Sequence, residues 1–155
     1  MFTRLLLSLL LLLFYSVPGA QAAPQPNDHA ALSGLKTGRA IFDVRITELD
    51  KLVFHLNLVQ DAFDGMVAQR VKPRMVVAFR GPGLGLLATE SPDEVVLEQI
   101  RTLRRKGVRF EACAYAMRVA EVDSTKLLSE IILVANVLNS HIGYQNKGYA
   151  LVVLN

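Results

Sequence analysis

Few residues in this 155-residue chain combine reactive chemistry with a telling position. The first is Cys113, its only cysteine, within Val-Arg-Phe-Glu-Ala-Cys-Ala-Tyr-Ala-Met over residues 108–117. A thiol without an internal partner is buried and inert, paired with another chain, or used chemically. The pattern sets it at the carboxyl end of a buried strand, just before a helix starting near Ala114. In an open α/β sheet that end faces the crevice where ligands bind. Free N–H groups and the dipole of the following helix would favour an anionic sulfur. Arg80, at the end of a neighbouring strand, would add positive charge, whereas Glu111, two residues before the cysteine, would oppose it. A free cysteine also packs well as a small hydrophobe, so position alone leaves the reactive and the packed readings both open.

The other reactive types are scattered. Gly83-Leu84-Gly85-Leu86-Leu87-Ala88 fits the GxGxxA form of a dinucleotide-binding turn and follows a strand. It falls in the second strand–helix unit, however, and its helix is interrupted by Ser91-Pro92. No acidic residue follows about 20 positions on at a strand end to hold a ribose, so no cofactor is expected. His29, His55 and His141 do not cluster, and no HxH, HExxH or CxxC spacing exists, which leaves a metal site without support. His55 reads as a polar-face residue of a helix, and His141, just after the fourth strand, is the one histidine placed near the thiol. A Ser–His–Asp hydrolase lacks its GxSxG elbow, and Ser91 is better explained as a helix cap.

The elements that position Cys113 follow from hydrophobic patterning. Arg39–Ile46 is β-branched and aromatic, a first strand. Thr47 with Asp50 offers a capping box, and Leu49, Leu52, Val53, Leu56, Val59, Phe63, Met66 and Val67 then form one stripe of a long helix. Met75–Phe79 is apolar without alternation, as in a strand buried on both faces. A tight turn over Arg80–Gly85 leads to a second capping box: Ser91 as N-cap, Pro92 as first helical residue and Glu94 two further on. That helix closes on Arg104-Arg105-Lys106 and Gly107, which suit a helix C-terminus and explain the basic run without a ligand. Val108–Cys113 is the third strand, followed by a short helix from Ala114 and a second helical segment over Ser124–Glu130. Ile131–Ala135 is a fourth, apolar strand, Leu138–Lys147 a helix stopped by Gly148, and Tyr149–Leu154 a last strand. The alternation predicts an α/β fold: a small, mostly parallel sheet of about five strands with helices on both faces.

The N-terminus reads as an export signal: Arg4, an apolar run from Leu5 to Tyr15, Pro18-Gly19, then Ala20-Gln21-Ala22 with cleavage after Ala22. The run is short of the ~20 residues that span a bilayer, and no cysteine follows it to carry a lipid, so no membrane attachment is expected after cleavage. The product would be periplasmic or secreted. Residues 23–37 lack periodicity and read as a flexible mature N-terminus, leaving 38–155 as one domain. Removing residues 1–22 takes one of 17 basic residues, leaving 16 against 14 acidic, a net charge of +2 that gives no argument for nucleic acid.

The order of motifs resembles a known family. Val76-Val77-Ala78-Phe79-Arg80-Gly81-Pro82-Gly83-Leu84-x-x-Leu87 is similar to the Val-Val-x-His-Gly-Pro-x-Leu segment of the DsrE/DsrF-like (YchN-like) family. Gly107-Val108-Arg109-Phe110-Glu111-Ala112-Cys113 resembles its Gly-Val-x-Phe-x-x-Cys strand. Gln145-x-x-Gly148-Tyr149-Ala150 resembles its closing segment, and Phe42-Asp43-Val44 fits its first strand. The resemblance implies a homotrimer or homohexamer with the cysteine near a subunit interface. It also implies sulfur relay, in which Cys113 is the nucleophile that accepts a sulfane sulfur as a persulfide and passes it to the thiol of a partner protein. Arg80, Gly81, Gly83 and Asn136 would then be the binding residues, the turn offering backbone N–H groups to the donor. Three departures bear on that pocket. Arg80 replaces the family's histidine, Tyr115-Ala116 stands for Asn-Thr after Cys-x, and Ala135-Asn136-Val137-Leu138 stands for Pro-Ser-Gly-Val. The alternative is a non-catalytic oligomeric binding module whose cysteine is structural.

Overall fold

The computed structural model describes residues 26–155. The export-signal reading of residues 1–22 lies outside them. After one exposed helical turn, α1 (His29–Leu32), strand and helix alternate: β1 (Thr37–Val44), α2 (Leu49–Ala68), β2 (Lys72–Phe79), α3 (Glu94–Arg105), β3 (Arg109–Cys113), α4 (Ala114–Val119), β4 (Ile132–Val134), α5 (Val137–Asn146) and β5 (Ala150–Leu154). The strands form one sheet in the order β4-β3-β2-β1-β5, every neighbouring pair parallel. The fold is therefore the α/β sheet with helices on both faces that the alternation predicts.

Because side chains alternate across a strand, each central strand feeds two cores. Ala40, Phe42 and Val44 of β1, Met75, Val77 and Phe79 of β2, and Phe110 and Ala112 of β3 meet one face. There they pack against Leu52, Leu56 and Val59 of α2 and Val96, Ile100 and Leu103 of α3. Ile41, Val76, Ala78 and Cys113 point the other way, with Val137 of α5. Burial on both sides is why the Met75–Phe79 run carries no polar alternation.

Both expected capping boxes shift. The residue before α2 is Glu48, without a side-chain cap, rather than Thr47. Before α3 the cap is Asp93 rather than Ser91: its carboxylate accepts the N–H groups of Val95 and Val96, each at 3.0 Å. Ser91 instead donates its N–H to the Thr89 hydroxyl in the preceding turn. An aspartate both caps and complements the positive helix end, so it displaces a serine two residues away. The helix end at Arg104-Arg105 with Gly107 at φ +94° follows the reading from sequence. Ser124–Glu130 forms only a 3-10 turn over Ser124–Lys126. The segment before β1 is also more regular than its composition predicts, since it carries α1.

Candidate functional site

The carboxyl ends of β2 and β3 open onto a cleft of about 390 Å³. Its floor is made where each strand stops. Cys113 is the last residue of β3 and, at φ −84° and ψ 107°, the N-cap of α4. Its Sγ accepts the Ala116 N–H at 3.4 Å, the role an aspartate or serine oxygen ordinarily fills. The residue is only 3 % exposed, with one side in the cluster formed by Ile41, Val76, Ala78 and Val137. The Tyr115 N–H donates to the Ala135 carbonyl at 3.2 Å, which ties α4 to the end of β4.

Arg80 continues β2 by one residue, its N–H donating to the Val44 carbonyl at 3.0 Å. Its guanidinium grips Asp43 of β1 in a fork, Nε to Oδ1 at 2.7 Å and Nη2 to Oδ2 at 2.8 Å. Nη1 has no partner among the described residues. The Asp43 carboxylate raises the guanidinium's hold on its proton above the ordinary, and the nearby Cys113 contributes in the same direction. The ion pair also alters the electrostatics read from sequence. Arg80 is not a free cation facing the thiol, because it is held by the buried Asp43 carboxylate, which Arg45 Nε also approaches at 3.8 Å.

Among the described residues Asp43 is one of three buried polar side chains, with Glu111 and His141, and all three lie between the sheet and α5. His141, 5 % exposed, brings Nε2 to 3.8 Å from Asp43 Oδ1, and this nitrogen has no hydrogen-bond partner among the described residues. Burial pushes its pKa below the ordinary histidine value, Asp43 pulls the other way and Arg80 adds to the lowering. The ring is therefore neutral at neutral pH, and its approach to Asp43 is not an ion pair. Glu111 shares its sheet face with Cys113, as the two-residue spacing requires. Its Oε1 accepts from Arg109 Nε at 2.7 Å and from the Tyr144 hydroxyl at 3.1 Å. These partners, not the sulfur, hold its charge. Burial and the Glu111 charge together raise the Tyr144 pKa.

The remaining residues read from sequence separate. Asn136 lines the cleft and caps α5, its Oδ1 accepting the Leu138 N–H at 2.9 Å. Gly81 also lines it, at φ +84°, a conformation that side chains seldom adopt. Gly83 does not line the cleft. It packs against the Ile46 carbonyl, where any Cβ would collide, so its role is close approach within the Pro82–Leu86 turn. The GxGxxA match is thus a packing device in a 3-10 turn, with no helix starting there. Tyr115, Ala116 and Leu138, which belong to the departures from the family's pattern, also line the cleft, and the wall the sequence did not single out is Val119. Asp43 was also missed as a site residue, although a lone carboxylate inside an apolar strand is itself a signal, since buried charge needs a partner.

Two solved structures share this architecture. A protein of unknown function from Methanobacterium thermoautotrophicum superposes with a TM-score of 0.62 at 22 % identity, over 75 % of this chain and 98 % of that one. Another, from Bacteroides thetaiotaomicron and also of unknown function, gives 0.53 at 17 % identity, over 73 % and 93 %. At such identities the likeness is one of fold. No match is found among curated proteins. The family-level match is far more extensive: the model of the DsrE/DsrF-like family aligns with residues 10–154, nearly the whole sequence, and the chain belongs to that family.

Proposed function

We propose that this protein is an exported sulfur carrier in which Cys113 holds a sulfane sulfur as a persulfide. The observation that carries the reading is the thiol at the floor of the cleft, at a strand's carboxyl end and beside the Arg80–Asp43 pair. The Cys113 thiolate attacks the sulfane sulfur of a donor R–S–SH. A bond from Sγ to that sulfur forms, the donor's S–S bond breaks, and R–S⁻ leaves and takes up a proton. An acceptor thiolate then attacks the outer sulfur of the Cys113 persulfide and regenerates the thiol. The sulfur moves without net oxidation, so no redox cofactor is called for. Membership of the family supports sulfur relay as the class of chemistry. Export, a homotrimeric or homohexameric assembly, and a thiol-bearing partner protein as acceptor belong to the same proposal.

A second reading has its own support. Cys113 is almost fully buried among Ile41, Val76, Ala78 and Val137, as a purely structural cysteine would be. Intact-protein mass spectrometry after incubation with polysulfide separates the two. A carrier gains sulfur on Cys113, and Cys113→Ser gains none. A thiol that alkylating reagents reach only after denaturation, with no sulfur adduct on the native protein, sinks the carrier reading in favour of a binding module.

A further inference from the structure

The cleft narrows the choice of donor that the carrier reading leaves open. Beyond the thiol its walls are carbon: Pro82 after β2, Tyr115, Ala116 and Val119 from α4, and Leu138 from the first turn of α5. Tyr115, Val119 and Leu138 are each more than half exposed, so their apolar surface faces the opening. The cleft's polar side chains besides the thiol and the Tyr115 hydroxyl are those of Arg80 and Asn136. Asp43 takes two of the guanidinium's N–H groups, and the buried His141 beside them is uncharged. A cavity of about 390 Å³ is of small-molecule size, far larger than a short polysulfide fills.

Resting on the carrier reading, we infer that the donor is a small organic persulfide, R–S–SH, with a hydrocarbon R group. R lies along Val119 and Leu138 with its persulfide end turned toward Arg80 and Cys113. Transfer follows the balance given above: the Sγ–S bond forms, the donor S–S bond breaks, and the apolar thiol R–SH leaves after protonation. The apolar wall favours the donor's carbon body, and Arg80 Nη1, outside the fork to Asp43, offers its N–H groups to the persulfide end.

The test measures loading of Cys113 on the full chain by intact mass, as second-order rate constants. The donors are 2-hydroxyethyl, butyl and hexyl hydropersulfides, a cysteine persulfide within a polar peptide, and inorganic polysulfide. Each rate constant is divided by that of the same donor with free cysteine, which removes intrinsic reactivity. The ratio is expected to rise along the alkyl series, at most about fourfold for each methylene buried, and to be lowest for polysulfide. Val119→Asp and Leu138→Asp, both at exposed positions, should flatten that rise. As a measurement on the unmutated protein, hexanol should compete with hexyl hydropersulfide. A flat series overturns the inference, as does a highest ratio for polysulfide or for the peptide persulfide, and either leaves the carrier reading intact. No loading by any donor removes the carrier reading itself.

Discussion

At the scale of single residues, the site depends on a charge balance beneath α5. Asp43 accepts the Arg80 fork, and His141 sits above the same carboxylate without bonding to it. The groups facing the imidazole are Asp43 of β1, Arg80 after β2 and Glu111 of β3. Burial keeps the folded-state pKa of His141 below its ordinary 6.5. The unfolded chain therefore takes up this proton first as pH falls. Above pH about 6.5 both states are neutral here and the ring makes no difference. Between that value and the lower folded one, stability declines with falling pH. Urea midpoints measured from pH 7.5 to 5 should show this decline, and His141→Leu should reduce it. At pH 7.5 the substitution should change stability by no more than about 1 kcal/mol, because Nε2 has no hydrogen bond to lose. An unchanged pH slope in the variant would place the titration elsewhere.

At the scale of elements, the physics of short sequence windows decided what was legible. The unbroken apolar run of β2, the stripe of α2 and the Gly107 stop of α3 are local signals, and each element stands where they predict. The caps are less legible because two polar residues within one turn compete, and the sequence shows both. Asp93 prevails over Ser91 in the structure, which gives a direct check. Asp93→Ala should cost about 1 kcal/mol in chemical denaturation, while Ser91→Ala should cost a few tenths at most. Equal losses would mean that both side chains share the cap. The site was half legible for a related reason. Cys113, Arg80, Gly81 and Asn136 end or begin elements, so local patterning brought them to one edge of the sheet. The Arg80–Asp43 fork joins residues 37 positions apart, and only the parallel pairing of β1 with β2 makes it. Gly83 shows the converse, a motif match explained by contact with the Ile46 backbone.

At the scale of the whole molecule, the sheet ends do not match an isolated parallel sheet, whose strands are normally covered on both faces. β4 and β5 are the two edges, and both are apolar and open: Ile132 and Leu133 on one, Leu151, Val152 and Val153 on the other. Helix α5 packs across β1, β2, β3 and β5 yet leaves its own Ile142 exposed. Natural proteins blunt or cover such edges, since exposed apolar strands recruit other chains. The proposed homotrimer or homohexamer covers them with further copies of this chain. Analytical ultracentrifugation of the purified protein should then give a mass of three or six copies. Ile132→Lys and Val153→Lys, made separately, test one edge each. A lysine at a packed edge should lower the assembly mass, whereas one at a solvent-facing edge should leave it unchanged. Both positions are 40 % exposed or more in the single chain, so the folded monomer should survive with its circular dichroism intact. A monomeric unmutated protein, or full assembly in both variants, would refute the proposed covering of these strands by copies of the chain.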